Sequence, residues 1–445
     1  MRVKVDESTF LAVVVLIVIM NGSITGTIST LPAEAQSKND ETSATDEPRI
    51  MDPNLKVELV YKGPGFPTNM AFVGPDDILL LSKNDGHVMR IKDGKNLGPV
   101  LTLNVSGKDE MGLLGISTDH AGQKNLHIFI FYSLCNSKTD CNNFVYRYDW
   151  IEGEGKLISP RLLIKLPGLP GPSHIGGEMT IGPDKYLYVT VGDMTPSKLF
   201  NMDKKYLTKA QNYVDGVEAD GRAGILRVTQ DGKPVDKGII GSTSPLNLYY
   251  AYGIKNSFGL GFDPLTGNLW DTENGPRFGD EINLVEPGFN SGWSKVQGGW
   301  NVGQTAEKTE LIGNTNPNNL VDFDGKGKYT APKLVWDSNV APTALVFLNS
   351  TKLGSQYLND MFIGSVDGKI SHFKLNENRT ELNLPKSTTG KILSEDVELT
   401  TIFGQDFEII TDLHVGPYDG YLYVVSADRP NKAGAIYRIL ANSLN

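Results

Sequence analysis

Only two cysteines, Cys135 and Cys141, occur in the chain. They lack the further ligands a zinc site needs, and as a pair they leave no thiol for nucleophilic catalysis. They flank the polar stretch NSKTD between two strand-like runs, which predicts a disulfide closing that loop in an exported protein. Histidine is also scarce, with six in total and no H-x-x-x-H or H-E-x-x-H spacing, so a zinc protease is excluded. No G-x-S-x-G elbow is present, which removes the commonest serine hydrolase signature. No Lys/Arg-rich run stands out and the net charge is −10, so a nucleic-acid surface is excluded.

Long apolar runs are absent apart from FLAVVVLIVIM at 10–20. A membrane-spanning helix needs about 20 apolar residues, so this run fits the core of a secretory leader better than a comfortable span. Ala33-Glu34-Ala35 offers a small-x-small cleavage site; Asp6 and Glu7 are unusual before such a run, and a retained membrane anchor also fits. Residues 1–35 are therefore read as a signal peptide or N-terminal anchor. No cysteine follows the run, which argues against a bacterial-type lipoprotein. Residues 36–55 are polar and acidic with little to bury, and read as a disordered linker.

Helix-period patterns are hard to find beyond that point. Short β-rich runs punctuated by Gly, Pro, Asn and Asp recur instead. A turn, an apolar strand and a second strand appear at 73–91, at 181–193 with 224–228, at 262–275, at 358–375, and at 415–428 with 434–440. A further strand pair occupies 125–150. Six such units predict an all-β, six-bladed propeller of four-stranded antiparallel blades over 56–445. Two β-sandwiches are the competing architecture.

Three segments carry candidate chemistry. His174 lies in PGPSHIGGEMTIGPDKYLYVTVGD, a Gly-rich loop entering a strand, with Asp193 at the far end to orient its ring. Imidazole, with an ordinary pKa of about 6.5, is a competent base near neutrality, although a lone histidine equally serves structure. Glu110 opens EMGLLGIS, where a solvated turn is the alternative. From Tyr252 to Trp293 the chain brings together a cation–amide pair (Lys255-Asn256), a Gly275-Pro276 corner and the acidic Asp280-Glu281. Consecutive carbonyls at the corner suit Ca²⁺, which prefers oxygen ligands, while a plain β-turn uses the same dipeptide.

In order, EMGLLGIS, SHIGGEMTIGPDKYLYVTVGD, GILRVTQDGKPV, YGIKNSFGLGFDP, ENGPRFGDEINLVEPGFNSGW and HVGPYDGYLYVVSAD resemble the glucose/sorbosone dehydrogenase family over about residues 57–440. The resemblance implies a propeller that binds pyrroloquinoline quinone (PQQ) and Ca²⁺ and oxidises sugars, handing electrons to an external acceptor. His174 matches the base that takes the sugar C1 hydroxyl proton, and Asp193 its carboxylate partner. Glu110, Lys255, Asn256 and Lys369 fall at cofactor- or substrate-facing positions. Gly275 and Pro276 match the carbonyls on the cofactor's calcium, and Asp280 lies in a segment that binds structural calcium in some members. Four positions depart from the pattern. Lys255 replaces the usual Arg, Ser257 replaces a Pro, Glu178 adds a negative charge after the Gly pair, and Lys369 stands alone where a basic cluster is common. Those departures leave room for a propeller that binds a ligand or partner without catalysis, and a calcium-dependent lactonase is a third possibility.

Overall fold

Second strands of the repeating units are buried along their whole length, not on alternate residues: DILLLS, LYVTV, LWDTE and MFIGS are buried at every position. A strand of that kind is covered on both faces, as it is when its sheet is packed between two others. The computed structural model describes residues 47–119, 126–195, 203–303, 305–312, 320–386, 388 and 391–442. The apolar run at 10–20, the cleavage site and His120 lie outside them.

Six sheets of four or more strands and one three-stranded sheet make up the described residues. The first sheet is Pro67–Gly74, Asp77–Ser82, His87–Lys92 and Lys95–Thr102. The second is Leu113–Thr118, Leu126–Ser137, Asp140–Ile151 and Lys156–Pro167. The third is built on Gly176–Ile181, Leu187–Val191, Gly224–Val228 and Tyr249–Tyr252, and the fourth on Ser257–Phe262, Leu269–Glu273, Glu281–Val285 and Leu334–Trp336. Pro342–Phe347, Met361–Ser365, Ile370–Phe373 and Ile402–Gln405 form the body of the fifth. The sixth combines Ile409–Val415, Leu422–Asp428 and Ala433–Ala441 with Leu55–Pro64 from the other end of the chain, paired from Leu55↔Ala441 to Pro64↔Ala433. The first strand of each sheet contacts that of the next, and the sixth contacts the first, closing a ring. These sheets are the blades of a β-propeller.

Two expectations change. Four-stranded antiparallel blades hold for the first, second and sixth sheets. The third adds Phe289–Asn290 and Lys328–Tyr329 in parallel, the fourth adds Ile392–Leu393 in parallel, and the fifth adds Arg49–Ile50. Inserted segments pair there with edge backbone that would otherwise lack partners. The linker expected to reach residue 55 also ends sooner, because Arg49 and Ile50 pair with Gln405 and Gly404. The disulfide joins Cys135 to Cys141, which face each other in the ladder.

Successive strands alternate direction, so the entry to each first strand and the turn between second and third strands lie at one end of every sheet. Glu110, His174 and Lys255-Asn256 enter the second, third and fourth sheets. Asp193, the Gly275–Asp280 segment and Lys369 occupy turns of the third, fourth and fifth.

Candidate active site

His174 is held from three directions. Nδ1 faces Asp193 Oδ1 at 2.9 Å, with Thr195 Oγ1 at 3.1 Å, and Nε2 faces the Lys255 ammonium at 3.1 Å. An ammonium donates and a carboxylate accepts, so the pair selects the tautomer with the proton on Nδ1 and the lone pair on Nε2. The backbone of His174 is in the left-handed region (φ 56°), a strained conformation of the kind that clusters at functional sites. Its N–H donates to Glu110 Oε2 at 2.7 Å, which anchors the loop. Gly192 permits the close approach of the neighbouring turn, since a Cβ there would sit 2.0 Å from the His174 carbonyl oxygen.

Asp193 is fully buried and richly bonded. Besides His174, it accepts from the Thr195 N–H (2.9 Å), the Thr195 hydroxyl (2.7 Å) and the Trp293 indole N–H (2.6 Å). Burial alone would raise its pKa, but His174, Lys255 and the Thr195 N–H outweigh burial and hold it at about 2. It is therefore a permanent anion behind the imidazole. Neither Thr195 nor Trp293 figures among the sequence candidates. Thr195 was within reach of the D-x-T spacing, whereas Trp293 is 100 residues from Asp193 and carries no local signal.

Lys255 is 3 % exposed. Burial lowers its pKa against the opposing pull of Asp193, Glu110, Asp280 and Glu273. Its ammonium is the cation nearest the base, and its N–H donates to Glu273 Oε1 at 2.7 Å. Asn256 bridges loops: Oδ1 accepts from Gly176 N–H at 3.1 Å and Nδ2 donates to Glu110 Oε2 at 3.3 Å. Glu110, Asn256, Lys255, His174 and Asp193 thus form one connected group, as the motifs anticipate.

The Gly275-Pro276 corner is a tight loop in which a Cβ on Gly275 would lie 1.8 Å from the Phe278 carbonyl oxygen. Neither carbonyl of the dipeptide accepts a hydrogen bond from a described residue, and the neighbouring Asn274 Oδ1 is buried without a partner. These oxygens suit a hard cation. Among the described residues no three His, Cys, Asp or Glu side chains converge on a common metal position, so carbonyls must supply much of any such site. Asp280 has a different job from that of an open ligand. Its Oδ1 accepts from Gly275 N–H, and Oδ2 accepts from Val340 and Ala341 N–H, at 2.7 to 2.8 Å. Burial raises its pKa to about 6 in spite of those bonds. Asp280 shapes the corner from within.

Two residues stand apart. The Lys369 ammonium is paired with Asp367 at 2.6 Å and with Glu398 at 3.7 Å, and no described contact links it to His174 or Lys255. Glu178 accepts from Asn69 Nδ2 at 2.7 Å, on first strands that face the ring's centre. Burial, reinforced by Asp412, raises its pKa well above the usual range, which favours its neutral form.

The description "Glucose / Sorbosone dehydrogenase" belongs to the family whose model matches residues 65–438. The chain belongs to this family of sugar dehydrogenases. It is 24% identical over 380 residues to the aldose sugar dehydrogenase YliI of Escherichia coli, covering 84% of this chain and 90% of that protein. Quinoprotein glucose dehydrogenase B of Acinetobacter calcoaceticus is 30% identical over 240 residues, 51% of this chain and 49% of the relative. The fold also matches the PQQ-bound form of an aldose sugar dehydrogenase from Streptomyces coelicolor, with a TM-score of 0.59 and 20% identity over 86% of this chain and 98% of that one.

Proposed function

We propose that the chain is an exported quinoprotein dehydrogenase on a six-bladed propeller, which oxidises the C1 hydroxyl of aldose sugars to lactones. The observation that carries this reading is the His174 arrangement: an imidazole pinned by a buried carboxylate at Nδ1, with Nε2 turned toward the only cation in the group. PQQ, when bound with Ca²⁺, supplies the electrophilic quinone that accepts hydride, polarised by the metal. Gly275 and Pro276 are the residues that would hold the calcium, and Lys255 and Asn256 those that would meet the cofactor's anionic and carbonyl groups.

The chain's own part is proton handling and orientation. The sugar hydroxyl takes the place of the Lys255 ammonium at Nε2 and gives its proton there as C1 loses hydride. Asp193 stabilises the resulting imidazolium without taking the proton, because its pKa lies far below that of imidazole. Lys255, displaced from Nε2, would offset the negative charge of the cofactor's carboxylates, which is otherwise costly to desolvate. Glu110 keeps the histidine loop in register through the His174 N–H. An external acceptor would be needed to take the electrons that the bound quinone receives.

One observation favours a second reading. Lys255 and Lys369 are both engaged within the protein, which fits a propeller that binds a ligand or partner without turnover. Dye-linked assays of the full chain with PQQ and Ca²⁺ separate the two. Saturable, aldose-dependent dye reduction that a chelator abolishes is expected. No dye reduction with any aldose contradicts the enzyme, and lactone hydrolysis without quinone points to a hydrolase.

A further inference from the structure

Two cations at the site end of the ring, Lys83 and Arg429, make no ion pair among the described residues, unlike others there. Lys255 is turned to His174 and Lys369 to Asp367 and Glu398. Lys83, in the turn between the second and third strands of the first sheet, donates to the Asp109 carbonyl at 2.6 Å and to Asn84 Oδ1 at 3.3 Å. Arg429 occupies the equivalent turn of the sixth sheet, next in the ring. Among the described residues no carboxylate oxygen lies within 4.0 Å of the ammonium or the guanidinium.

Phe66 ties the two together. Its carbonyl accepts the Lys83 N–H at 2.9 Å, and the Arg429 guanidinium lies over its ring at 5.7 Å. The contact at Asp109 puts the Lys83 ammonium one residue from Glu110, which itself bonds to His174 N–H. Burial lowers the Lys83 pKa to about 8; Glu110 and, more weakly, Asp109 pull it up, and the charge of Arg429 pushes it further down. With Phe66 between them, the two like charges share one stretch of the rim, an arrangement that a bound anion would relieve.

We infer that Lys83 and Arg429 form a carboxylate-binding clamp on the rim of the active site. A lysine supplies a point charge with a free N–H, and an arginine a planar fork, so one carboxylate group can bridge both. Two sources fit: a carboxylate of the quinone cofactor, which rests on the function proposed above, or the acidic group of a uronic-acid-type sugar, which does not need the cofactor.

Calorimetry on the full chain tests the clamp without reading turnover. Wild type, Lys83→Met and Arg429→Gln are titrated with PQQ in Ca²⁺ and, separately, with D-glucuronate and D-glucose. If the clamp holds the cofactor, each variant binds PQQ about tenfold more weakly or worse, the loss expected for one charge-assisted contact, with glucose binding unchanged. If the clamp reads the substrate, PQQ affinity is unchanged while glucuronate binding drops by a similar factor and glucose binding does not. Glucuronate binding by a wild type that takes up no PQQ supports the clamp and sinks the quinoprotein reading. Unchanged affinities in both variants, or a wild type that binds neither anion, overturn the clamp. Arg429 is exposed in a turn, so its variant is decisive should Lys83→Met fail to fold.

Discussion

The Lys255 ammonium stands 3.1 Å from Nε2 of His174, on the ring nitrogen opposite the one that faces Asp193. The base is thus flanked by a cation and an anion, and each fixes the proton on a known nitrogen. Replacing His174 by Ala removes the proton acceptor and leaves the cofactor's oxygen and cation ligands in place. Turnover is expected to fall by about 10²–10⁴-fold, with PQQ affinity, measured by titration, within a few-fold of wild type.

Asp193→Asn tests the role of the buried anion. An amide cannot stabilise an imidazolium as a carboxylate does, so kcat is expected to fall by about 10²–10³-fold with KM changed much less. The same residue contributes to stability. Its folded pKa, about 2, is below the ordinary value of 3.8, so its contribution is present above the ordinary value and is lost as pH falls through about 2. The gap in unfolding free energy between wild type and Asp193→Asn should be widest near neutrality and close between pH ~4 and ~2.

Glu273 and Asp280 have the opposite sign. Burial raises Glu273 to about 7 and Asp280 to about 6, and Asp271 and Glu281 are pushed up in the same way. Groups whose folded pKa is raised stabilise the fold below their unfolded values, and that stability is lost as pH rises through the folded ones. In chelator, Tm is expected to fall between pH ~5 and ~8. A flat or rising Tm over that interval would show that these carboxyls are not buried together.

Gly275→Ala forces a methyl group to within 1.8 Å of the Phe278 carbonyl oxygen. The corner must open to relieve that clash, which misplaces both carbonyls. Calcium affinity, followed by calorimetry, is expected to drop by about tenfold or more, equivalent to about 1.4 kcal/mol.

Lys369→Met is expected to change PQQ affinity by less than about threefold, because the ammonium already has Asp367 and Glu398 as partners. A loss of tenfold or more in the same titration would mean that the lysine leaves those carboxylates for the cofactor.

Local patterns that repeat were legible in the sequence. The turn-plus-apolar-strand units at 181–193 and 415–428 are the turn after the first strand and the second strand of the third and sixth sheets, and the Gly-rich loop around His174 leads into the first strand of the third. The Cys135–Cys141 bridge likewise follows from a short polar loop between two strands. What was not legible depends on contacts distant in sequence. Trp293 reaches Asp193 across 100 residues, and Leu55–Pro64 pairs with the far end of the chain. The fates of Asp280 and Lys369 were hidden for a related reason. A carboxylate in a turn looks the same in sequence whether it meets a metal or three backbone N–H groups, and a lysine shows nothing of the carboxylates, here Asp367 and Glu398, that it will meet.

The most direct test of the account is anaerobic single-turnover mixing of the full chain, loaded with PQQ and Ca²⁺, with glucose, followed by quinone absorbance in wild type and in His174→Ala. Rapid, sugar-dependent reduction is expected in wild type, with retention of the oxidised spectrum in the variant despite equal cofactor occupancy. Reduction at similar rates in both, or in neither, would contradict His174 as the base of a sugar-oxidising site.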